Sequence, residues 1–261
     1  GADSYASGSW GGMRDFYADA TLNYQGNFGK HNIGALLLGR ATKYTMPYDS
    51  FNTPSGLIGT SARFTYDYDT RYLLELNFAY NGTENFAKGH RFGFFLAASV
   101  GYVISNEPWF KSLKKPVDNL KFRVSYGLVG NDKIGSEKNR FYYLSEMNME
   151  SKNLAASFGE LRGHTYKGID VVRYANEAIT WERSYKTNYA VELGLFDNFD
   201  LIAEYFTERR KDIFMTRADV PETMGLQAGI SAHIGEARAH GVDLQAEYQK
   251  GWNKDFLSSA R

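Results

Sequence analysis

Large apolar residues alternate with small or polar ones along this chain over long runs, most cleanly between Arg71 and Asn131. Leu120, Phe122, Val124, Tyr126 and Leu128 are interleaved with Lys121, Arg123, Ser125 and Gly127. Successive side chains of an extended strand point to opposite faces, so this segment carries one apolar face and one polar or small face. Phe92, Phe94, Leu96, Ala98, Val100, Tyr102 and Ile104 repeat the pattern, as do Tyr72, Leu74, Leu76, Phe78 and Tyr80. The alternation predicts consecutive antiparallel strands over 71–81, 91–104 and 119–129. Phe94, Leu96, Val100, Phe122, Val124 and Tyr126 are expected to face outward into lipid.

Nine strands are predicted in all, over 16–24, 31–41, 59–67, 71–81, 91–104, 119–129, 187–195, 199–208 and 240–249. Most have about 9–11 residues, the length a tilted strand needs to cross a bilayer. Tight connections at Gln25-Gly26-Asn27, Tyr68-Asp69-Thr70 and Phe196-Asp197-Asn198 nearly alternate with long ones near 42–58, 130–186 and 209–239. Outer-membrane barrels have this asymmetry, with short periplasmic turns and long outside loops. The connection 105–118, with Pro108 and Pro116, is read as a longer periplasmic turn. Phe28, Tyr68, Tyr72, Trp109, Phe110, Phe196, Phe199 and Trp252 fall beside the tight turns, where an aromatic girdle belongs. Within 130–186, short strands are expected near Phe141–Ser145 and Ala178–Arg183. The predicted fold class is all-β, an incomplete antiparallel transmembrane β-barrel segment of about nine or more strands.

Composition removes alternatives more than it adds any. Lys plus Arg and Asp plus Glu balance at 30 each, which gives no footprint for nucleic acid. Zero Cys excludes disulfides and thiolate metal sites. No run of about 18 apolar residues is present, so no transmembrane helix is expected; a barrel, with only alternate residues facing lipid, stays open. Gly1-Ala2-Asp3-Ser4 has no signal-peptide character, and the chain reads as a segment of something longer.

Several stretches resemble the C-terminal half of the SusC/RagA-like TonB-dependent outer-membrane transporters. They run from Arg71-Tyr72-Leu73-Leu74-Glu75 through Tyr80-Asn81-Gly82-Thr83, Asn85-Phe86-Ala87-Lys88-Gly89 and Arg91-Phe92-Gly93-Phe94-Phe95. Ser99-Val100-Gly101-Tyr102-Val103-Ile104-Ser105-Asn106-Glu107-Pro108 and Leu120-Lys121-Phe122-Arg123-Val124-Ser125-Tyr126-Gly127 follow, then Trp181-Glu182-Arg183 and Gly235-Glu236-Ala237-Arg238-Ala239-His240-Gly241-Val242-Asp243. Leu96 and His240 depart from the family pattern, which often has Pro and Asn there. The resemblance implies part of a 22-stranded plugged barrel, with plug, N-terminal domain and final strands outside this chain. It implies TonB-dependent import across the bacterial outer membrane of a large nutrient, an oligosaccharide or oligopeptide. A SusD-like surface lipoprotein, the TonB complex and outer-membrane lipid are the implied partners, and no enzyme activity, cofactor or nucleic acid is implied.

No chemistry-bearing constellation competes. Glu160 with His164, and His233, Glu236 and His240, lack the three or four converging ligands a metal requires. Glu146, Glu150 and Asp170 have no spacing that fixes a glycosidase pair. No catalytic residue and no metal ligand is assigned. Arg63, Asp67, Glu75, Lys121, Arg123, Glu192 and Glu204 are expected to face the lumen. Tyr142, Tyr143 and Trp181, with Tyr166 and Tyr174 nearby, lie in or beside the longest outside loop. They are read either as aromatic ligand contacts or as loop packing. The rival functions are a soluble all-β carbohydrate-binding module, whose strands also alternate, and a passive porin or adhesin.

Overall fold

The alternating runs pair edge to edge. A computed structural model describes residues 13–45, 54–113, 116–134, 140–253 and 256–260. Its strands are β1 (Arg14–Phe28), β2 (His31–Thr45), β3 (Ser55–Tyr68), β4 (Tyr72–Thr83), β5 (Phe92–Val103), β6 (Val117–Asn131), β7 (Glu146–Phe158), β8 (His164–Arg173), β9 (Glu182–Leu195), β10 (Phe199–Thr216), β11 (Ser231–Asn253) and β12 (Phe256–Ala260). Ten of them form one sheet in the order β1-β2-β3-β4-β5-β6-β9-β10-β11-β12, while β7 and β8 form a separate two-stranded hairpin. Each pairing within the sheet is antiparallel. With β1 and β12 at its two edges, the sheet is open.

Register keeps one face apolar across the sheet from β4 to β11. Leu74 lies opposite Val100, Val100 opposite Val124, Val124 opposite Tyr189, Tyr189 opposite Tyr205 and Tyr205 opposite Val242. A slip of one residue at any seam would send that row to the polar side. Nothing in the described residues covers this face: Phe94 is 57% exposed, Val100 52%, Phe122 44% and Leu244 72%. The six residues expected to point outward are all exposed on it. A sandwich would bury such a face against a second sheet; among the described residues the only other sheet is the β7–β8 hairpin.

The opposite face is polar. Arg63 pairs with Glu75 at 3.6 Å, Lys121 with Glu192 at 3.2 Å, and Arg123 with Glu204 at 3.4 Å and Glu192 at 3.8 Å. Asn188 also donates to Glu204. A groove on this side draws its lining from β1 through β6, including Gln25, Asn32, Asp67, Asn77, Ser99 and Arg123. A groove spanning six strands requires the sheet to curl toward that face, as a barrel wall does. The expected lumen residues thus share one face and largely pair with one another.

The first tight turn is Gly29-Lys30, not Gln25-Gly26-Asn27, which lie within β1 because pairing with β2 continues to Phe28. The β3–β4 and β9–β10 connections are three residues long, and the first two residues of each are left-handed, as a type I′ turn demands. Asp69 and Thr70 have φ of 54° and 53°, and Phe196 and Asp197 have 56° and 53°. Adjacent turns are stitched together. Asp69 N–H donates to the Lys30 carbonyl at 2.7 Å, and Asn106 Nδ2 donates to the Thr70 carbonyl at 2.8 Å. Asp197 N–H donates to the Asp118 carboxylate, and Gln249 N–H to the Asn198 carbonyl at 2.8 Å. At the centre of this belt, buried Glu107 accepts from Arg71 at 2.9 Å, Tyr72 Oη at 3.0 Å and Tyr102 Oη at 3.2 Å. Burial would raise the Glu107 carboxyl, but the hydrogen bonds from Arg71, Tyr72 and Tyr102 outweigh it and hold the group below its ordinary value.

Several boundaries differ from the sequence reading. Every one of the nine strands forms, but most run longer, because pairing continues past the last clearly alternating residue. The 209–239 loop shrinks to 217–230, since β10 reaches Thr216 and β11 starts at Ser231. The 42–58 loop shrinks from both ends, and its part 46–53 lies outside the described residues. Ile104 already belongs to a 3₁₀ turn (Ile104–Asn106), and a second such turn (Pro108–Leu113) fills the 105–118 connection. The 130–186 segment contains the β7–β8 hairpin. The short strand expected near Phe141–Ser145 is a turn, and that near Ala178–Arg183 exists only as the start of β9. Phe28, Tyr72, Trp109 and Phe196 are exposed beside the turns as a girdle requires, but Phe110 is 5% exposed and does not belong to it. The side chain of Trp252 and the terminal Gly1–Ser4 and Arg261 lie outside the described residues.

Two measurements check this arrangement. Phe122→Arg should lower unfolding free energy in lipid or detergent by about 2–4 kcal/mol, against a much smaller loss for Lys121→Ala on the polar face; equal losses would contradict the assigned faces. Because the Glu107 carboxyl is depressed, its stabilisation is whole above about pH 4.5 and lost as the pH falls through its folded value. The melting temperature of the wild-type protein in detergent should therefore fall below that pH. Glu107→Gln should melt lower at neutral pH and lack this part of the acid-induced fall.

Candidate functional site

The end of the sheet opposite the tight turns carries the long connections, and its polar side holds the one compact hydrophobic core in the described residues. Along β5 the polar face reads Gly93, Phe95, Ala97, Ser99 and Gly101, a single large ring among small residues. Phe95 fits because its neighbours lack side chains. A Cβ on Gly130 would stand 2.0 Å from the Phe95 ring, and one on Gly93 2.5 Å from it. Phe86, from the β4–β5 connection, is fully buried beside it, with Ile179, Trp181 and Ile134 completing the cluster.

Trp181 is the keystone of that cluster. Its indole meets Phe95 edge-on at 5.2 Å between centroids and Phe86 at 5.6 Å. Its Nε1–H donates to the Arg91 carbonyl at 3.1 Å, and Arg91 Nε donates to the Phe86 carbonyl at 3.1 Å. The β4–β5 connection, the end of the 132–181 segment and the wall strand β5 are therefore fixed to one another. Further bonds extend the tie to β10 and β11. Thr180 N–H donates to His233 Nε2 at 3.2 Å, while His233 Nδ1–H donates to the Asp212 carbonyl. Asn176 Nδ2 donates to the Ser231 carbonyl at 2.8 Å, and Glu182 accepts from Phe214 N–H at 2.9 Å and from Asn131 Nδ2 at 2.9 Å.

The three aromatic residues singled out from the sequence have different positions. Trp181 is 5% exposed, its ring enclosed by the cluster described above. Tyr142 is half-buried, 4.5 Å from the Phe214 ring and 4.8 Å from the Arg173 guanidinium. Tyr143 is half-buried and meets Phe141 edge-on at 6.0 Å. Tyr166 is exposed on the hairpin, and Tyr174 Oη accepts from Gln227 N–H at 3.3 Å. Other polar candidates are engaged elsewhere: Glu236 is held by Arg209, Glu146 by Arg173 at 3.4 Å and Glu150 by Lys167 at 2.5 Å. The sequence reading missed Phe86, Phe95 and Ile179. The signal for Phe95 was there, in a lone large residue on an otherwise small-sided face.

Comparison with known proteins agrees with this architecture. A family model described as TonB dependent receptor-like, beta-barrel matches residues 2–260. The TonB-dependent receptor P3 of Formosa agariphila is 25% identical over 216 residues, which are 82% of this chain and 20% of that protein. The TonB-dependent receptor SusC of Bacteroides thetaiotaomicron is 24% identical over 209 residues, 79% of this chain and 20% of that protein. The solved RagAB peptide importer in its closed-closed state superposes with a TM-score of 0.71 at 16% identity, covering 95% of this chain and 28% of its own. The siderophore receptor PirA from Pseudomonas aeruginosa gives 0.58 at 10% identity, over 95% of this chain and 41% of its own. At such identities the likeness is one of fold. The chain spans about a fifth of the length of these curated relatives.

The core at this end predicts its own fragility. Trp181→Ala should destabilise the end by about 3–5 kcal/mol, the usual cost of deleting a buried ring. Hydrogen exchange should quicken across 84–91 and 174–181 while β3 and β4 below stay protected. Uniform quickening along the sheet would mean that Trp181 supports the wall as a whole.

Proposed function

The chain belongs to the TonB-dependent receptor-like β-barrel family, and on that premise we propose that it is part of the wall of an outer-membrane importer for a large nutrient. The cargo in this reading is an oligosaccharide or an oligopeptide, driven by TonB and received with a SusD-like surface lipoprotein. The observation that carries it is the two-faced sheet: one continuous apolar face for lipid, and one polar face whose charges are paired for a water-filled or protein-filled lumen. The likeness to SusC and to the RagAB peptide importer supports the lipoprotein partner and the size of the cargo.

In this topology the tight turns face the periplasm, and the 132–181 and 217–230 connections lie outside the cell. The 42–58 connection lies outside as well. Tyr142 and Tyr143 serve as contacts for cargo or lid at the outer mouth, since aromatic faces stack on sugar rings and pack on peptide side chains. Trp181 contributes by holding the connections that carry them.

Uptake of fluorescent oligosaccharides and oligopeptides by cells carrying the full-length protein tests the transport. Uptake should need the gene and stop when a protonophore collapses the inner-membrane gradient; uptake indifferent to the protonophore would make the barrel a passive pore. The topology has a separate test in the absence of Cys. With a membrane-impermeant thiol reagent on intact cells, Ser157→Cys in β7 should label and Asp197→Cys in the β9–β10 turn should be protected. The reverse pattern would invert the topology, and labelling of both would argue against a membrane-spanning wall.

A further inference from the structure

The apolar face does not stay apolar to the top of β9, β10 and β11. Above Tyr189, Tyr205 and Val242 come Thr187, Thr207 and His240, then Tyr185, Arg209 and Arg238, and last Arg183 opposite Lys211. Arg209 and Arg238 stand directly opposite each other, a pairing of like charges that costs stability unless an anion bridges it. Glu236 does so in part, at 2.7 Å from Arg209 and 3.1 Å from Arg238. Lys211 has its ammonium over the Tyr185 ring at 5.8 Å, and Arg183 is only 4.0 Å from Asp212. Four cations against two carboxylates leave this corner with a net charge of two positive, and Arg183, Arg209 and Arg238 are each well exposed.

Height decides what this corner meets. From Phe199, just above the β9–β10 turn, to Arg209 is ten residues on one strand. At ~3.3 Å per residue that is about 33 Å along the strand, and about 25 Å of height at a tilt of ~40°, the height of an apolar barrel band. The cations therefore come out of the hydrocarbon at the far headgroup layer, pointing outward to lipid and not into the lumen.

We propose that Arg183, Arg209, Lys211 and Arg238 form a binding site for the phosphate of an outer-leaflet lipid headgroup. Guanidinium groups form paired hydrogen bonds with phosphate oxygens, and a doubly charged phosphate would neutralise the corner and relieve the Arg209–Arg238 opposition. The ring of Tyr185 and the rows of Tyr189 and Val242 beneath would meet the lipid's first acyl carbons. The site rests on the membrane-spanning reading of the sheet but not on transport or cargo.

The test uses the full-length protein purified in detergent, with lipopolysaccharide and its enzymatically dephosphorylated form as probes. Each basic side chain near a lipid surface is worth about fivefold in binding. R209Q/R238Q should accordingly retain lipopolysaccharide about tenfold or more weakly, and the wild type should show a comparable preference for the phosphorylated form. R209K/R238K, which keeps the charge, should recover most of the binding. Lys186→Gln, on the polar face, should change nothing. Equal retention by wild type and R209Q/R238Q, or equal binding of both probes, would overturn the proposal. Resistance of the folded band to unfolding in sodium dodecyl sulfate shows whether each variant still forms its barrel. Wild-type protein absent from the outer-membrane fraction would overturn the membrane reading itself.

Discussion

Everything in this structure follows from one constraint: a sheet whose apolar face has nothing among the described residues to pack against. Ten strands satisfy their backbone groups edge to edge, and the side chains that a soluble protein would fold inward stay in a single unbroken layer. Such a layer is stable only where water is absent, which forces alternation along each strand and a matched register from strand to strand. The long rows from Leu74 to Val242 are that requirement written in side chains. The ion pairs of the other face are its complement over the stretch that the Phe86–Trp181 cluster does not cover.

The strands were legible because a period of two is a local signal that no tertiary contact needs to rescue. What was illegible broke that period. In β7 and β8 the register slips between Asn148 and Ser151 and again between Ser151 and Ala156, so no run of alternation survives to be read. Where strands outgrow the bilayer, as at the top of β10, charged residues replace apolar ones and the sequence looks like loop. Trp181 illustrates the other limit. Its residue type fits a ligand contact and a packing anchor equally well, and only the position of Phe86 and Phe95 separates them. Tyr142 and Tyr143 keep both meanings in residue type, and their half-buried positions give them surface as well as support.

The two ends of the sheet are held by different physics. The tight-turn end is a belt of polar bonds, with turn joined to turn and Glu107 gathering three donors. The opposite end is held by a small apolar core inside the polar face, so the segments 84–91 and 174–181 rest on the wall. That core ties segments distant in sequence, 84–91 and 174–181, to β5. A displacement of one connection is in this way felt by its neighbours.

The 50 residues between β6 and β9 also shape how the sheet comes together. Neighbouring strands elsewhere in β1–β6 are joined by much shorter connections, so they can zip as hairpins from their turns. The β6–β9 seam must instead close a loop some four doublings longer than a tight turn, which adds about 2–3 kcal/mol of chain entropy before any contact forms. The connection thus divides these strands into two packets, β1 to β6 and β9 to β12, and the seam between them carries the largest closure entropy of any seam in the described sheet. The attraction of Lys121 and Arg123 for Glu192 across that junction is placed where it sets register between the packets.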